Sequence, residues 1–244
     1  MAWQEHTYRD GAALAEALAQ TLAACAQDKR ENGTGTPEPG DILLALAGGR
    51  TPWPAYRAFA QRAMDWPRIR IVPTDERCVP HAHAACNLRE LREAFTPATG
   101  VRLDPLTVAD GDPARSEAHA RDLFASAPYA ERDFDLVLLG MGQDGHTASL
   151  FPGAPQRAEA MSPDDRRTAC RIDPDPLPPE APFPRITLTL SRLLRTRALH
   201  LAIVGDAKRA VLRAAQASAD PARHPISALL HAPHTLVHVH WSPT

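Results

Sequence analysis

Apolar residues fall in short blocks along this chain, and their spacing is of two kinds. In "DGAALAEALAQTLAACAQDKR", Leu14, Leu18, Leu22 and Cys25 recur at i, i+4, i+8 and i+11. That is the stripe of a helix with one buried face. "DILLALAGG" is instead a continuous apolar run ending in glycines, the pattern of a strand buried on both faces. "RIRIVPTDER", "FDLVLLGMG", "RITLTL", "ALHLAIVG" and "TLVHVHW" predict further strands, and "TACRI" a shorter one. Between them, "TPWPAYRAFAQRA", "NLRELREAF", "PARSEAHARDLFASA", "DAKRAVLRAAQA" and "ISALLH" predict helices. The first of these is expected to start with Thr51 as N-cap and Pro52 at its first position. "ENGTGTPEPG" and "DPDPLPPEAPFP" predict loops.

Strands and helices alternate, and most strands are apolar throughout. This predicts an α/β fold: a mostly parallel, twisted sheet with helices on both faces, a Rossmann-like three-layer sandwich. Nothing marks a linker or an internal repeat, so one domain over 1–244 is expected. In such sheets ligands bind beyond the carboxyl ends of the strands, and four loops therefore carry the chemistry.

Composition narrows the class. The 244 residues are 44% hydrophobic and 23% charged, within the globular range, with a net charge of −2. A balance of that sign gives no bulk attraction to nucleic acid or to an anionic membrane. The four cysteines, Cys25, Cys78, Cys86 and Cys170, lack a disulfide spacing and are expected as free thiols. No leader-like or membrane-spanning apolar run occurs, so a cytoplasmic protein is expected. No exposed apolar helix face calls for a partner, and a monomer is expected.

The first loop, "AGGRTP", places Gly48, Gly49, Arg50 and Thr51 between a strand and a helix start. Glycines allow close approach, and free amides with the helix dipole suit a phosphate. The second, "PTDERCVP", ends an apolar strand with Asp75, Glu76 and Arg77. Each alone reads as solvated charge, while the carboxyl edge turns one or two of them into a cleft. Cys78, His81, His83 and Cys86 have the residue types of a zinc site, but their spacing fits no common zinc module and no metal is expected.

The third loop, "GMGQDGHTASLFPG", contains G-x-G-x-x-G. A dinucleotide turn needs a sustained helix after it and an acidic residue about 20 positions on, at the end of the next strand. Here Pro152 cuts the helix short, and Asp164 and Asp165 precede a strand. No nucleotide cofactor is expected. What remains is a turn presenting Asp144 and His146, a carboxylate able to orient an imidazole as general base. In the fourth loop, "VGDAKRA", Lys208 sits in the first turn of a helix, where the dipole disfavours a cation unless an anion is bound.

"AGGRTP", "PTDERCVP", "CNLRE", "FDLVLLGMGQDGHTASLFPG", "PRITLTL" and "VGDAKRAVL" together resemble the 6-phosphogluconolactonases in order and spacing, over nearly the whole chain. The resemblance implies hydrolysis of 6-phospho-D-glucono-1,5-lactone by water, with a small sugar phosphate as partner and no cofactor. It implies His146 as base, with Asp144 or a backbone group orienting it, and Arg77 on the phosphate or the oxyanion. Gly48–Thr51, Lys208 and Arg185 would hold phosphate, and Asp75 sugar hydroxyls. The related glucosamine-6-phosphate deaminases carry an acidic residue before the proline where this chain has Phe151-Pro152. Two departures stand out: Cys86 replaces a usual serine, and "DPDPLPP" lacks a usual lysine.

Overall fold

The structure, a computed structural model, describes residues 3–27, 40–163, 166–176 and 182–244. The elements in chain order are β1 (Trp3–Thr7), α1 (Gly11–Gln27), β2 (Ile42–Leu46), α2 (Trp53–Ala60), β3 (Ile69–Pro73) and β4 (Asp75–Arg77). Next come α3 (Asn87–Ala94), β5 (Arg102–Leu103), α4 (Pro113–Ala125), β6 (Leu136–Leu139), α5 (Arg157–Ala160) and β7 (Ala169–Ile172). The chain closes with β8 (Arg185–Leu188), α6 (Leu190–Leu194), β9 (Leu199–Val204), α7 (Asp206–Ala217), α8 (Ile226–Leu230) and β10 (Val237–Ser242). The expected loop at 31–40 lies outside the described residues except for Gly40. Asp164, Asp165 and the middle of the proline-rich loop also lie outside them.

Seven strands form a parallel sheet in the order β1-β10-β9-β6-β2-β3-β5. Alternation along β2 shows why its sequence is apolar throughout. Ile42, Leu44 and Leu46 pack under α1, α2 and α3 with Leu18, Phe59 and Leu91. Leu43 and Ala45 face the other way, into a core shared with Phe124, Leu212 and Leu229 of α4, α7 and α8. Burying each such leucine stabilises the fold by about 1.5–3 kcal/mol, so a polar residue on either face of β2 would be costly.

Two sequence expectations need correction. "RIRIVPTDER" is not one strand. β3 ends at Pro73, and Thr74 bridges to a second, antiparallel sheet of order β4-β8-β7. The Thr74 amide donates to Leu46 of the main sheet, while its carbonyl accepts from Leu188 of the small one. Burial runs unbroken from Ile71 to Glu76 through the crossing although the residue types turn polar, so only the tertiary pairing reveals it. Likewise α2 begins at Trp53, not Thr51. Arg50–Pro52 form a turn of their own, Pro52 adopts the helical region at the N-cap, and no side chain caps the helix.

The edge of the large sheet holds a cluster that periodicity did not suggest. β1 carries no apolar period, because its residues are polar apart from Trp3 and none is fully buried. In register, His6 pairs with His240 and His238 with His200, so four imidazoles share one sheet face beneath α1. Neighbouring rings lie 4.9–5.5 Å apart. His200 Nδ1 meets His240 Nε2 at 2.9 Å, and Tyr8 OH meets His240 Nδ1 at 2.9 Å. The rings floor a cavity of ≈ 430 Å³ roofed by Ala17, Gln20, Thr21 and Ala24 of α1. Among the described residues no group of three or more His, Cys, Asp or Glu side chains is arranged to hold a metal ion. Of the four Cys and His residues considered for zinc, His81 bonds to Thr107, and Cys86 lies buried against Glu76.

Candidate active site

Strand order places the site. From β2 the chain steps outward to β3 and β5; from β6 it steps the opposite way to β9 and β10. The order therefore reverses between β2 and β6, and the loops leaving their carboxyl ends diverge to open a crevice. A cleft of ≈ 250 Å³ lies there. It is lined by Gly48, Gly49, Arg50 and Thr51 from the loop after β2, by His146 from the loop after β6, and by Lys208 of α7. Asp75 and Arg77 of β4 and Arg185 of β8 line it from the small sheet. Nine of the ten residues singled out in the sequence thus face one space. The tenth, Asp144, stands behind His146.

The loop after β6 folds into a tight turn closed by bonds from the Gly142 amide to the His146 carbonyl and from the Gly145 amide to the Gly142 carbonyl. Gly142 is required by close approach: a Cβ there would lie 2.2 Å from His146 Nδ1 and 2.6 Å from Asp144 Oδ1. The two side chains meet at 2.6 Å, Nδ1 to Oδ1. The His146 amide also donates to the same carboxylate, at 3.1 Å. Burial alone would raise the Asp144 carboxyl, but the hydrogen bond and charge of His146 bring it below the ordinary carboxylate range. An ionised Asp144 keeps the proton on Nδ1 and leaves Nε2 as the acceptor.

Four cations and one carboxylate, Asp75, line the cleft. Burial pushes Lys208 below its ordinary value, and the neighbouring positive charge of Arg50 pushes it further. Two cations held together at a helix start form a site that an anion would stabilise. Arg77 and Arg185 are register partners across β4 and β8, so both side chains leave the same face of the small sheet, and both line the cleft. Arg77 Nη1 donates to the Ala85 carbonyl at 2.7 Å, which holds its head in place.

The charged run at 75–77 is far from solvated. Asp75 is 7% exposed and Glu76 is fully buried. Ser149 Oγ donates to Asp75 Oδ2 at 2.5 Å. Glu76 accepts from the amides of Arg77, Asn87 and Leu88 and so serves as a built-in anion at the start of α3. Burial raises its carboxyl despite these amides. This anchoring fixes Asn87, whose Nδ2 donates to the Asp75 carbonyl at 2.8 Å. Asn87 also fills the space beside Gly48, where a Cβ would lie 2.1 Å from its Oδ1. Asn87 and Ser149 carry no signal in the pattern: one opens an amphipathic helix, the other sits in mid-turn.

A sequence model of the glucosamine-6-phosphate isomerases/6-phosphogluconolactonase family matches residues 9–241. The chain is 34% identical to a 6-phosphogluconolactonase of Rhizobium meliloti over 98% of both chains. It belongs to the 6-phosphogluconolactonase family. A 6-phosphogluconolactonase of Pseudomonas aeruginosa is 36% identical over 84% of this chain and 83% of its own. The crystal structure of a 6-phosphogluconolactonase from Shewanella baltica superposes with a TM-score of 0.85 at 30% identity, covering 98% of this chain and 97% of that one. The α/β fold with its parallel sheet is thus the fold of this lactonase family.

Proposed function

We propose that this protein hydrolyses 6-phospho-D-glucono-1,5-lactone to 6-phospho-D-gluconate, the second step of the oxidative pentose phosphate pathway. The observation that carries the proposal is the Asp144–His146 pair, with Nε2 as its acceptor, at the rim of a cationic cleft in a chain of the lactonase family. Water activated by His146 Nε2 attacks C1 of the lactone. The positive charge needed at the developing oxyanion comes from Arg77, held in advance by Ala85. The amides of Gly48–Thr51, with Arg50 and Lys208, hold the phosphate. Arg185 adds a second cationic contact to the substrate, and Asp75, held by Ser149, accepts from sugar hydroxyls. No step requires a cofactor.

Arg50, Arg77, Arg185 and Lys208 are concentrated in the cleft and the net charge is −2, which favours a small anion over nucleic acid. Among the described residues Leu236, 47% exposed, is the one large hydrophobic side chain at the surface, which supports a monomer. Among the described residues no helix is long and apolar enough to cross a membrane.

The test is His146→Ala assayed on freshly made lactone, with spontaneous opening subtracted. A general base of this kind contributes roughly 10²–10⁴ in rate, so kcat is expected to fall by that factor while 6-phosphogluconate still binds. Near wild-type turnover in the variant would remove His146 from the mechanism.

A further inference from the structure

Phe151 follows the base by five positions in the same loop and is buried in the core beneath the small sheet. Its ring centroid lies 4.4 Å from that of His146, with the planes at 34°. The Arg185 guanidinium carbon lies 4.9 Å from the same centroid, over the ring. One aromatic side chain therefore touches both a base on the loop after β6 and a cation on β8.

We infer that Phe151 is a positioning residue that aims the His146 imidazole and seats the Arg185 guanidinium through one shared ring; this rests on the lactonase reading above. A hydrogen bond to Nδ1 fixes one direction in the imidazole plane but leaves rotation about that bond. An aromatic ring packed against the imidazole plane removes that rotation, so the aim of Nε2 is set by Asp144 and Phe151 together. The effect on Arg185 is different in kind. The aromatic face attracts the guanidinium through the ring quadrupole and so fixes where its positive charge sits in the cleft. The loop that carries the base thereby also sets the geometry of the substrate's cationic contact.

The test is a pair of double-mutant cycles with Phe151→Leu, which keeps apolar bulk and removes the ring. F151L alone is expected to lower kcat about 10-fold or more through misplacement of the base. It is expected to raise KM by ~3- to 10-fold through the loss of the ring under Arg185. In a His146→Ala background F151L should cost nothing further in kcat; in an Arg185→Gln background it should add nothing to KM. Phe151→Tyr, which keeps the ring, should recover most of both losses. A readout independent of activity is the His146 Cε1–H proton resonance, identified by its absence in H146A. The Phe151 ring current displaces it in the wild-type protein, and F151L should return it toward the position of a free histidine. Losses that simply add in the double variants, wild-type kcat and KM in F151L, or a resonance unmoved by F151L would each overturn the inference. If F151L is poorly folded, F151Y as inactive as H146A would also overturn it. A wild-type protein without lactonase activity, but with the displaced resonance that F151L relaxes, would refute the lactonase reading and leave the ring's hold on His146 standing.

Discussion

Acidification from pH 8 to pH 5 is expected to remove about 4 kcal/mol of stability through two buried histidines at the sheet edge. His200 and His240 are 7% and 3% exposed. Burial first, then the like charge of neighbouring imidazoles, pushes both down to about 3. The side chains facing them are His6 from β1, Tyr8 just after it, His238 from β10, and Ala17, Gln20, Thr21 and Ala24 from α1, with no carboxylate among them. Because the folded-state value lies below the unfolded 6.5, the unfolded chain binds more protons between pH 6.5 and 3. Stability is therefore complete above pH 6.5 and falls as the pH drops through that window. At pH 5 each histidine is charged when unfolded and neutral when folded. The cost is about 1.4 kcal/mol for each of the 1.5 pH units below 6.5, or about 2 kcal/mol per ring. The result is insensitive to the depth of the shift, provided the folded value stays well below 5. A loss of this size is a large share of the roughly 5–15 kcal/mol that holds a typical domain together. Glu90 acts in the opposite direction, since burial raises it to about 7, but it is half-exposed and solvent screening weakens it. The assay is urea unfolding followed by circular dichroism at pH 8 and pH 5, on the wild type and on His200→Gln/His240→Gln. Glu90 and every other group cancel in the difference between the two pH dependences. If both proteins lose the same stability between pH 8 and pH 5, the reasoning is wrong.

Lys208→Ala removes a cationic contact present in ground and transition states alike, so KM should rise ~10- to 100-fold with kcat little changed; steady-state kinetics showing the reverse split would contradict the phosphate assignment. Gly142→Ala would place a methyl 2.2 Å from His146 Nδ1 and so displace the base from Asp144; kcat should fall at least about 10-fold while the thermal melt shows a folded protein, and unchanged turnover would refute this view of the turn. Glu76→Gln sets an amide N–H group against backbone donors at the start of α3; the expected destabilisation is about 1–3 kcal/mol by urea titration, and a change below about 0.5 kcal/mol would mean that Glu76 is not the anchor described.

The amphipathic stripe of Leu14, Leu18 and Leu22 and the apolar runs of β2, β6 and β9 were legible because burial imposes a period on neighbouring residues. The glycine turns were legible for a similar reason: close approach in "GMGQDGH" restricts the residue types that fit. Even so, their reach was underestimated, since Gly48 is needed for Asn87, 39 positions further along the chain. β1 went unseen because an edge strand with polar faces leaves no apolar period. The crossing at Thr74 went unseen because both sheets bury the strands they receive.

The linear order of residues thus determined the elements, the class of fold and the loops that carry chemistry, all of which depend on contacts a few residues apart. Tertiary structure alone decided that the strand order reverses between β2 and β6, that the small antiparallel sheet brings Arg77 and Arg185 out on one face, and that Phe151 lies under both His146 and Arg185. Those contacts join segments far apart along the chain. Their energies depend on which strand docks beside which, and no local pattern of hydrophobic and polar residues records that choice.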